Sequence, residues 1–160
     1  MGHRFHIEHV APDAVRANPR NARTHDARQI EQIAASITAF GFTNPVLIDE
    51  VGEIIAGHGR LMAAMRLGLP TVPTIRIAHL DAAEKRALML ADNKIALNAG
   101  WDMDILAGEL AELSSPDVDL DIDLTGFEMG EIDVIIGSVN EGRGADHETA
   151  PLPNPDLPAI

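Results

Sequence analysis

Apolar and polar residues alternate over residues 5–10, FHIEHV, which predicts a first strand. The stretch that follows, APDAVRANPRNAR, is too rich in Pro and Asn for regular structure. Asp26 with Gln29 three residues on has the form of a capping box. The helix it opens carries Ile30, Ile33, Ile37 and Phe40 on one face and stops at Gly41. Two short β-branched runs, Val46 to Ile48 and Glu53 to Ala56, flank a turn at Gly52 and predict a hairpin. Gly57-His58-Gly59-Arg60 leads directly into an apolar helix over Leu61–Leu67 that Gly68 closes. Pro70 and Pro73 frame the way to a strand over Thr74–Ile77. Asp81 and Glu84 form a second capping box, before a helix with Leu88, Ala91 and Ile95 in register.

Beyond Gly100 the pattern changes. Asp102 caps a helix with Leu106, Leu110 and Leu113 on one face. PDVDLDIDL then alternates strictly, with Val118, Leu120, Ile122 and Leu124 against four aspartates, which predicts an edge strand or an extended segment on the core. Glu128–Ile136 reads as a last helix ended by Gly137, and four prolines mark residues 138–160 as a flexible tail or linker. The expected organisation is therefore an α+β domain over 1–100, an acidic helical extension over 101–137, and the tail. The domain is expected to hold a small mixed β-sheet with packed helices.

Charge sharpens that division. Residues 1–100 hold eleven Lys/Arg against ten Asp/Glu, a balance of +1; residues 101–160 hold one Arg against fifteen Asp/Glu, a balance of −14. Such a chain is poorly suited to indiscriminate binding of phosphate backbones, which relies on many Lys/Arg contacts. With no cysteine, disulfides, thiolate metal sites and cysteine nucleophiles are excluded. The start lacks a signal-peptide apolar run and no stretch has 18 uninterrupted apolar residues, so a cytoplasmic protein with no membrane partner is expected.

The chemistry concentrates at the strand–GHGR–helix unit. A glycine-flanked turn entering a helix directs backbone N–H groups and the positive end of the macrodipole at one spot, which suits an anion such as phosphate. Gly57 and Gly59 permit close approach, and Arg60 can fork onto phosphate oxygens. Purely structural glycine turns before helices are common, so this unit alone leaves both readings open. His58 is singled out by its place in the turn. His3, His6 and His9 cannot share a metal from one strand, because His6 faces away from the other two. Asp117, Asp119, Asp121, Asp123 and Glu128 mimic calcium-loop positions, but Ile122 stands where that loop needs glycine. Trp101 is expected to pack rather than to stack on a base.

Across NPRNAR, IxxIAASIxxFGFxNPVLID, IIAGHGRLMAAMRLG and VPTIRI, in this order, the chain resembles the ParB N-terminal domain of the ParB/sulfiredoxin superfamily. The family's first box runs NPxQPR, its helix ends SIxxxG, and its second box reads AGERRxRAA. The resemblance implies a small α+β fold holding CTP or ATP with Mg²⁺ against the glycine turn. On that basis Gly57, His58, Gly59 and Arg60 would take phosphates, with Arg20 and Arg23 closing over them from the first box. Ser36, Gly41 and Asn44 would line the base or ribose side. Asp92 and Asn93, matching part of the family's ENLQR segment, would hold Mg²⁺, Asn93 also touching the nucleotide. The chain departs from the family at His58 and Gly59, which replace Glu and Arg of the second box, and at Ala96, which replaces the Arg of ENLQR. Sulfiredoxin activity is excluded, since its cysteine would fall at His58.

No helix-turn-helix is expected after residue 100. Instead NKIALNAGWD and DLTGFEMGEID resemble ParB-type domains at the N-terminus of phage and plasmid DNA methyltransferases. The implied partners are a nucleoside triphosphate, DNA reached through a fused or partner domain, and a second copy as a homodimer. Two alternatives stand beside nucleotide binding for a DNA-modification or DNA-partition system. One is a phosphotransferase or nucleotide hydrolase of the same superfamily; the other is a non-catalytic interaction module with a degenerate pocket.

Overall fold

A computed structural model of the protein describes residues 2–145. The chain divides into two compact units, the first ending at Gly100 and the second starting at Trp101. No helix among the described residues is long and apolar enough to cross a membrane.

The first unit holds strands β1 (Ile7–Val10), β2 (Val46–Ile48), β3 (Ile54–Ala56) and β4 (Val72–Arg76), with helices α1 (Ala27–Phe40), α2 (His58–Arg66) and α3 (Ala82–Asn98). The sheet order is β1-β4-β2-β3. β4 runs antiparallel to β1 and parallel to β2, while β2 and β3 form an antiparallel hairpin, so the sheet is mixed. The two faces sort by period two. Val46, Ile48, Ile54 and Val72 turn to one side and pack with Leu61 and Ala64 of α2. Ile55 and Ile77 turn to the other side and meet Met89 of α3. α1 docks on α2 through Ile30, Ala34 and Ala63, all buried. The result is the expected α+β architecture, a small mixed sheet with helices packed on it.

Local chemistry explains the boundaries. The buried Asp49 carboxylate accepts from the N–H groups of Val51 and Glu53 at 3.0 and 2.9 Å and pairs with Lys85 at 3.7 Å, which closes the β2–β3 turn and ties it to α3. Asp81 and Glu84 make both bonds of a capping box, each 2.8 Å long. β4 begins two residues before the expected start and includes Pro73. Pairing of β4 with β2 begins only at Thr74, so at Pro73 the strand has a neighbour on one side alone, where a missing N–H is tolerated.

The second unit holds α4 (Met103–Leu113), a 3-10 turn at Ile122–Thr125, and α5 (Met129–Ala145). Leu106, Leu110 and Ile132 form its buried core. The alternating PDVDLDIDL run is not a strand. It has no partner strand among the described residues, and Asp121 bonds locally, accepting from the N–H of Asp123 at 3.1 Å and capping the 3-10 turn. Nor does the last helix stop at Gly137. Ile132, Ile135 and Ile136 hold α5 against the core, and the helix continues through the segment expected to be tail as far as Ala145. The remaining tail residues, 146–160, lie outside the described residues. Trp101 is 67% exposed and meets Phe127 edge-on, with ring centroids 5.6 Å apart.

Candidate functional site

β3 delivers the chain into Gly57, which has φ +109° and caps α2 with no side-chain acceptor. The first N–H groups of α2 therefore have no partner within the helix. They open onto a cavity of about 310 Å³ walled by the glycine turn, the segment before α1, the start of α1, Asn44, and Asp92, Asn93 and Ala96 of α3. Gly59 makes this enclosure feasible. A Cβ there would lie 3.0 Å from the His25 ring and 3.0 Å from Ile33 Cδ1, so those two side chains would have to give way to any substituent.

Arg60 folds back beneath the turn. Its Nη2 donates to the Pro45 carbonyl at 3.0 Å, and its buried Nε–H has no partner. Burial pushes the Arg60 guanidinium below its ordinary pKa, and Asp92 acts in the opposite sense. An arginine remains charged at neutral pH even so. The cavity therefore contains a fixed cation, one carboxylate and a helix N-terminus. Arg23 Nη1 donates to Asn93 Oδ1 at 3.3 Å, and Asn93 Nδ2 donates to the Met89 carbonyl at 2.9 Å. His25 Nδ1 pairs with Gln29 Oε1 at 2.8 Å. That bond uses the side chain expected to complete a capping box with Asp26, so only half of the box forms, Asp26 accepting from the Gln29 N–H at 2.7 Å. His58 is half-buried; burial first, and then repulsion from His25, hold it below the ordinary histidine pKa.

Of the residues expected at the site, Arg23, Asn44, Gly57, His58, Gly59, Arg60, Asp92 and Asn93 line this one cavity. Arg20, Ser36 and Gly41 do not line it. The Asn18–Asn21 turn carries Arg20 to a separate cleft beside Asp49, Lys85 and Arg86. Ser36 lies roughly 10 Å further along α1 than Gln29, at 1.5 Å per residue, and Gly41 lies beyond it as the C-cap. Sequence reasoning missed Asn21, His25, Gln29, Ile33 and Ala56. The spacing of His25 and Gln29, four apart at a helix start, was the available signal.

The residues suit Mg²⁺ only as a companion of phosphate. Asp92 offers one carboxylate and Asn93 one amide oxygen, and no group of three or more His, Cys, Asp or Glu able to hold a metal gathers among the described residues. Mg²⁺ is commonly held in that way, by one or two carboxylates with waters and phosphate oxygens completing the shell.

Gly57→Ala is expected to damage this site more than the fold elsewhere. The φ of +109° strains any Cβ, and that Cβ would lie 3.0 Å from Arg60 Nη2. A loss of about 1–3 kcal/mol in stability is expected, measurable by urea unfolding. A variant as stable as the wild type would contradict the described turn.

Fold and site together define an α+β domain with a polar cleft at a glycine turn. Residues 2–94 match the ParB N-terminal domain, and the chain belongs to that family. Residues 104–160 match the ParB-methyltransferase HTH domain, which corrects the expectation that no helix-turn-helix follows the first unit. That expectation failed because the linking segment, heavy in aspartate, reads as a strand rather than a connection between two helices.

The chain is 56% identical over 66 residues to the ParB-like nuclease domain-containing protein YnaK of Escherichia coli K12, covering 41% of this chain and 76% of YnaK. It is 35% identical over 92 residues to a probable chromosome-partitioning protein ParB of Treponema pallidum, covering 54% of this chain but only 28% of that protein. Among solved structures it resembles the C-terminally truncated chromosome-partitioning protein ParB of Caulobacter crescentus complexed with CTP-gamma-S. The TM-score is 0.58 at 23% identity, over 82% of this chain and 71% of the other, a likeness of fold.

Proposed function

We propose that the first unit is a ParB-type nucleotide-binding module that takes CTP or ATP, with Mg²⁺, in the cleft at Gly57–Arg60. The observation that carries this reading is the convergence of three anion-favouring elements on one cavity: the uncapped start of α2, the αL turn at Gly57, and the half-buried Arg60 guanidinium. In this reading Arg60 and the first N–H groups of α2 bind the phosphates. Arg23, released from Asn93, would also reach the phosphates. Asp92 and the Asn93 oxygen would hold Mg²⁺, which would supply charge neutralisation for the triphosphate. The Caulobacter relative's complex with a CTP analogue supports the choice of ligand class. Titration calorimetry with CTP and ATP, each with Mg²⁺, tests the reading: saturable binding supports it, and no heat at millimolar nucleotide refutes it.

The wider role we propose is service to a DNA-modification or DNA-partition system, as the N-terminal module of a DNA methyltransferase. The family match of the second unit supports this. DNA would then be reached through the matched helix-turn-helix unit or through a fused or partner domain. From Trp101 onward one arginine stands against fifteen acidic residues, and in the described part Arg143 already faces Asp104 at 3.8 Å. The chain alone is expected to bind duplex DNA weakly and without sequence preference, since phosphate contacts supply most such affinity. Fluorescence anisotropy at physiological salt checks this; sub-micromolar, sequence-selective binding would contradict it.

A further inference from the structure

The segment between β1 and α1 is anchored by Val15 in the core, by Arg16, by Asn18 and, at its far end, by the Arg23 side chain on Asn93. Arg16 is held beside the β3 end by backbone bonds to Gly52 and Ile54, both 2.9 Å. Residues 18–23 then form a turn bonded within itself. The Asn21 N–H donates to the Asn18 carbonyl at 3.0 Å, the Arg20 N–H to Asn18 Oδ1 at 2.9 Å, and the Arg23 N–H to Asn21 Oδ1 at 3.2 Å. Such a turn moves as a piece, so the place of Asn18 sets the place of Arg23. The bond that fixes Asn18 comes from the glycine turn, 40 residues away: the Asn18 N–H donates to His58 Nε2 at 3.0 Å.

We propose that His58 is a positioning residue, whose Nε2 lone pair latches the Asn18–Arg23 turn onto the glycine turn and thereby sets where Arg23 enters the cleft. The functional consequence rests on the nucleotide reading above; the latch itself does not. An imidazole accepts through Nε2 only when that nitrogen carries no proton, so the latched His58 is neutral with its proton on Nδ1. Protonation would set an N–H against the Asn18 N–H and open the latch. The charged and titratable groups sharing the cavity are His25 and Arg23 from the segment before α1, Arg60 on α2 and Asp92 on α3. Burial first, and then repulsion from His25, disfavour a positive charge at His58. The described residues thus keep the latch closed at neutral pH and release it in acid, below the ordinary histidine range near 6.5.

Two variants separate the latch from simple filling of space. His58→Gln retains an acceptor oxygen and cannot titrate; His58→Phe fills the volume and accepts nothing. In the ligand-free full chain, the Asn18 amide proton resonance is expected to titrate together with the His58 ring, with a midpoint below about 6.5. It should not follow that titration in H58Q. At pH 8, where histidine is neutral, H58F is expected to bind Mg²⁺–CTP or Mg²⁺–ATP at least about tenfold more weakly than H58Q, the worth of one hydrogen bond. An Asn18 amide indifferent to the ring's titration would overturn the proposal, as would an H58F chain that binds as tightly as H58Q. If the wild type binds neither nucleotide, the nucleotide reading falls while the ligand-free titration still decides the latch. The same titration decides it if H58F does not fold.

Discussion

Saturation with CTP or ATP and Mg²⁺ is expected to raise the melting temperature of the first unit by roughly 10–20 °C. A ligand that binds only the folded state, at one hundred times its dissociation constant, adds about 2.7 kcal/mol. A domain of 60–100 residues shifts by roughly 4–8 °C for each kcal/mol. The chain has two compact units. Differential scanning calorimetry should therefore show the nucleotide moving the transition of the first unit, the one that contains Gly57–Arg60. Magnesium without nucleotide should move it little, because Asp92 alone is a weak site for a cation that retains its water reluctantly. An unmoved transition at millimolar nucleotide and Mg²⁺ would contradict the assignment.

Arg60→Ala is expected to weaken nucleotide binding roughly ten- to 150-fold, the equivalent of the 1.5–3 kcal/mol carried by a hydrogen bond to a charged group. It is also expected to cost stability, since the half-buried side chain bonds the Pro45 carbonyl immediately before β2. That bond contributes on the order of 1 kcal/mol, a fall of roughly 4–8 °C in melting temperature. Arg60→Lys separates the two roles. It keeps the charge and loses the planar fork, so affinity should fall between those of the wild type and the alanine variant. An Arg60→Ala chain that loses stability but binds nucleotide normally would make Arg60 a purely structural anchor of β2.

Much of the fold was legible because local signals agreed with one another. Asp26, Asp81 and Asp102 each cap a helix, as their positions suggest, and Val46–Ile48 pairs with Ile54–Ala56 around Gly52. Legibility ended where a pattern needed a neighbour the chain does not provide. Val118 to Leu124 alternate like a strand but meet no strand among the described residues, and the Asp121 side chain caps a 3-10 turn at Ile122–Thr125 instead. Phe40 and Ile95 lie in the expected apolar registers of α1 and α3, yet they are 56% and 66% exposed. Gly137 reads as a stop, but the interior glycine costs only about 1 kcal/mol relative to alanine, less than the packing of the adjacent isoleucines provides.

The site divides along the same line. Gly57 to Arg60 are contiguous, so one motif exposed them together. His25, Gln29 and Ile33 join them through the packing of α1 on α2 beside Gly59, a tertiary fact with no local pattern. Arg20 shares the first box with Arg23, and only the turn at Asn18–Asn21 separates their destinations.

The most direct test of the central claim asks where the nucleotide binds. In an amide ¹H–¹⁵N spectrum of the full chain titrated with Mg²⁺–CTP and then Mg²⁺–ATP, the largest shifts should fall on Gly57, His58, Gly59 and Arg60. Smaller shifts should fall on Arg23 and Asn93. Saturable shifts at those amides with at least one of the two nucleotides are the predicted result. Saturable binding that leaves Gly57–Arg60 unmoved, or no shift with either nucleotide, would contradict the account.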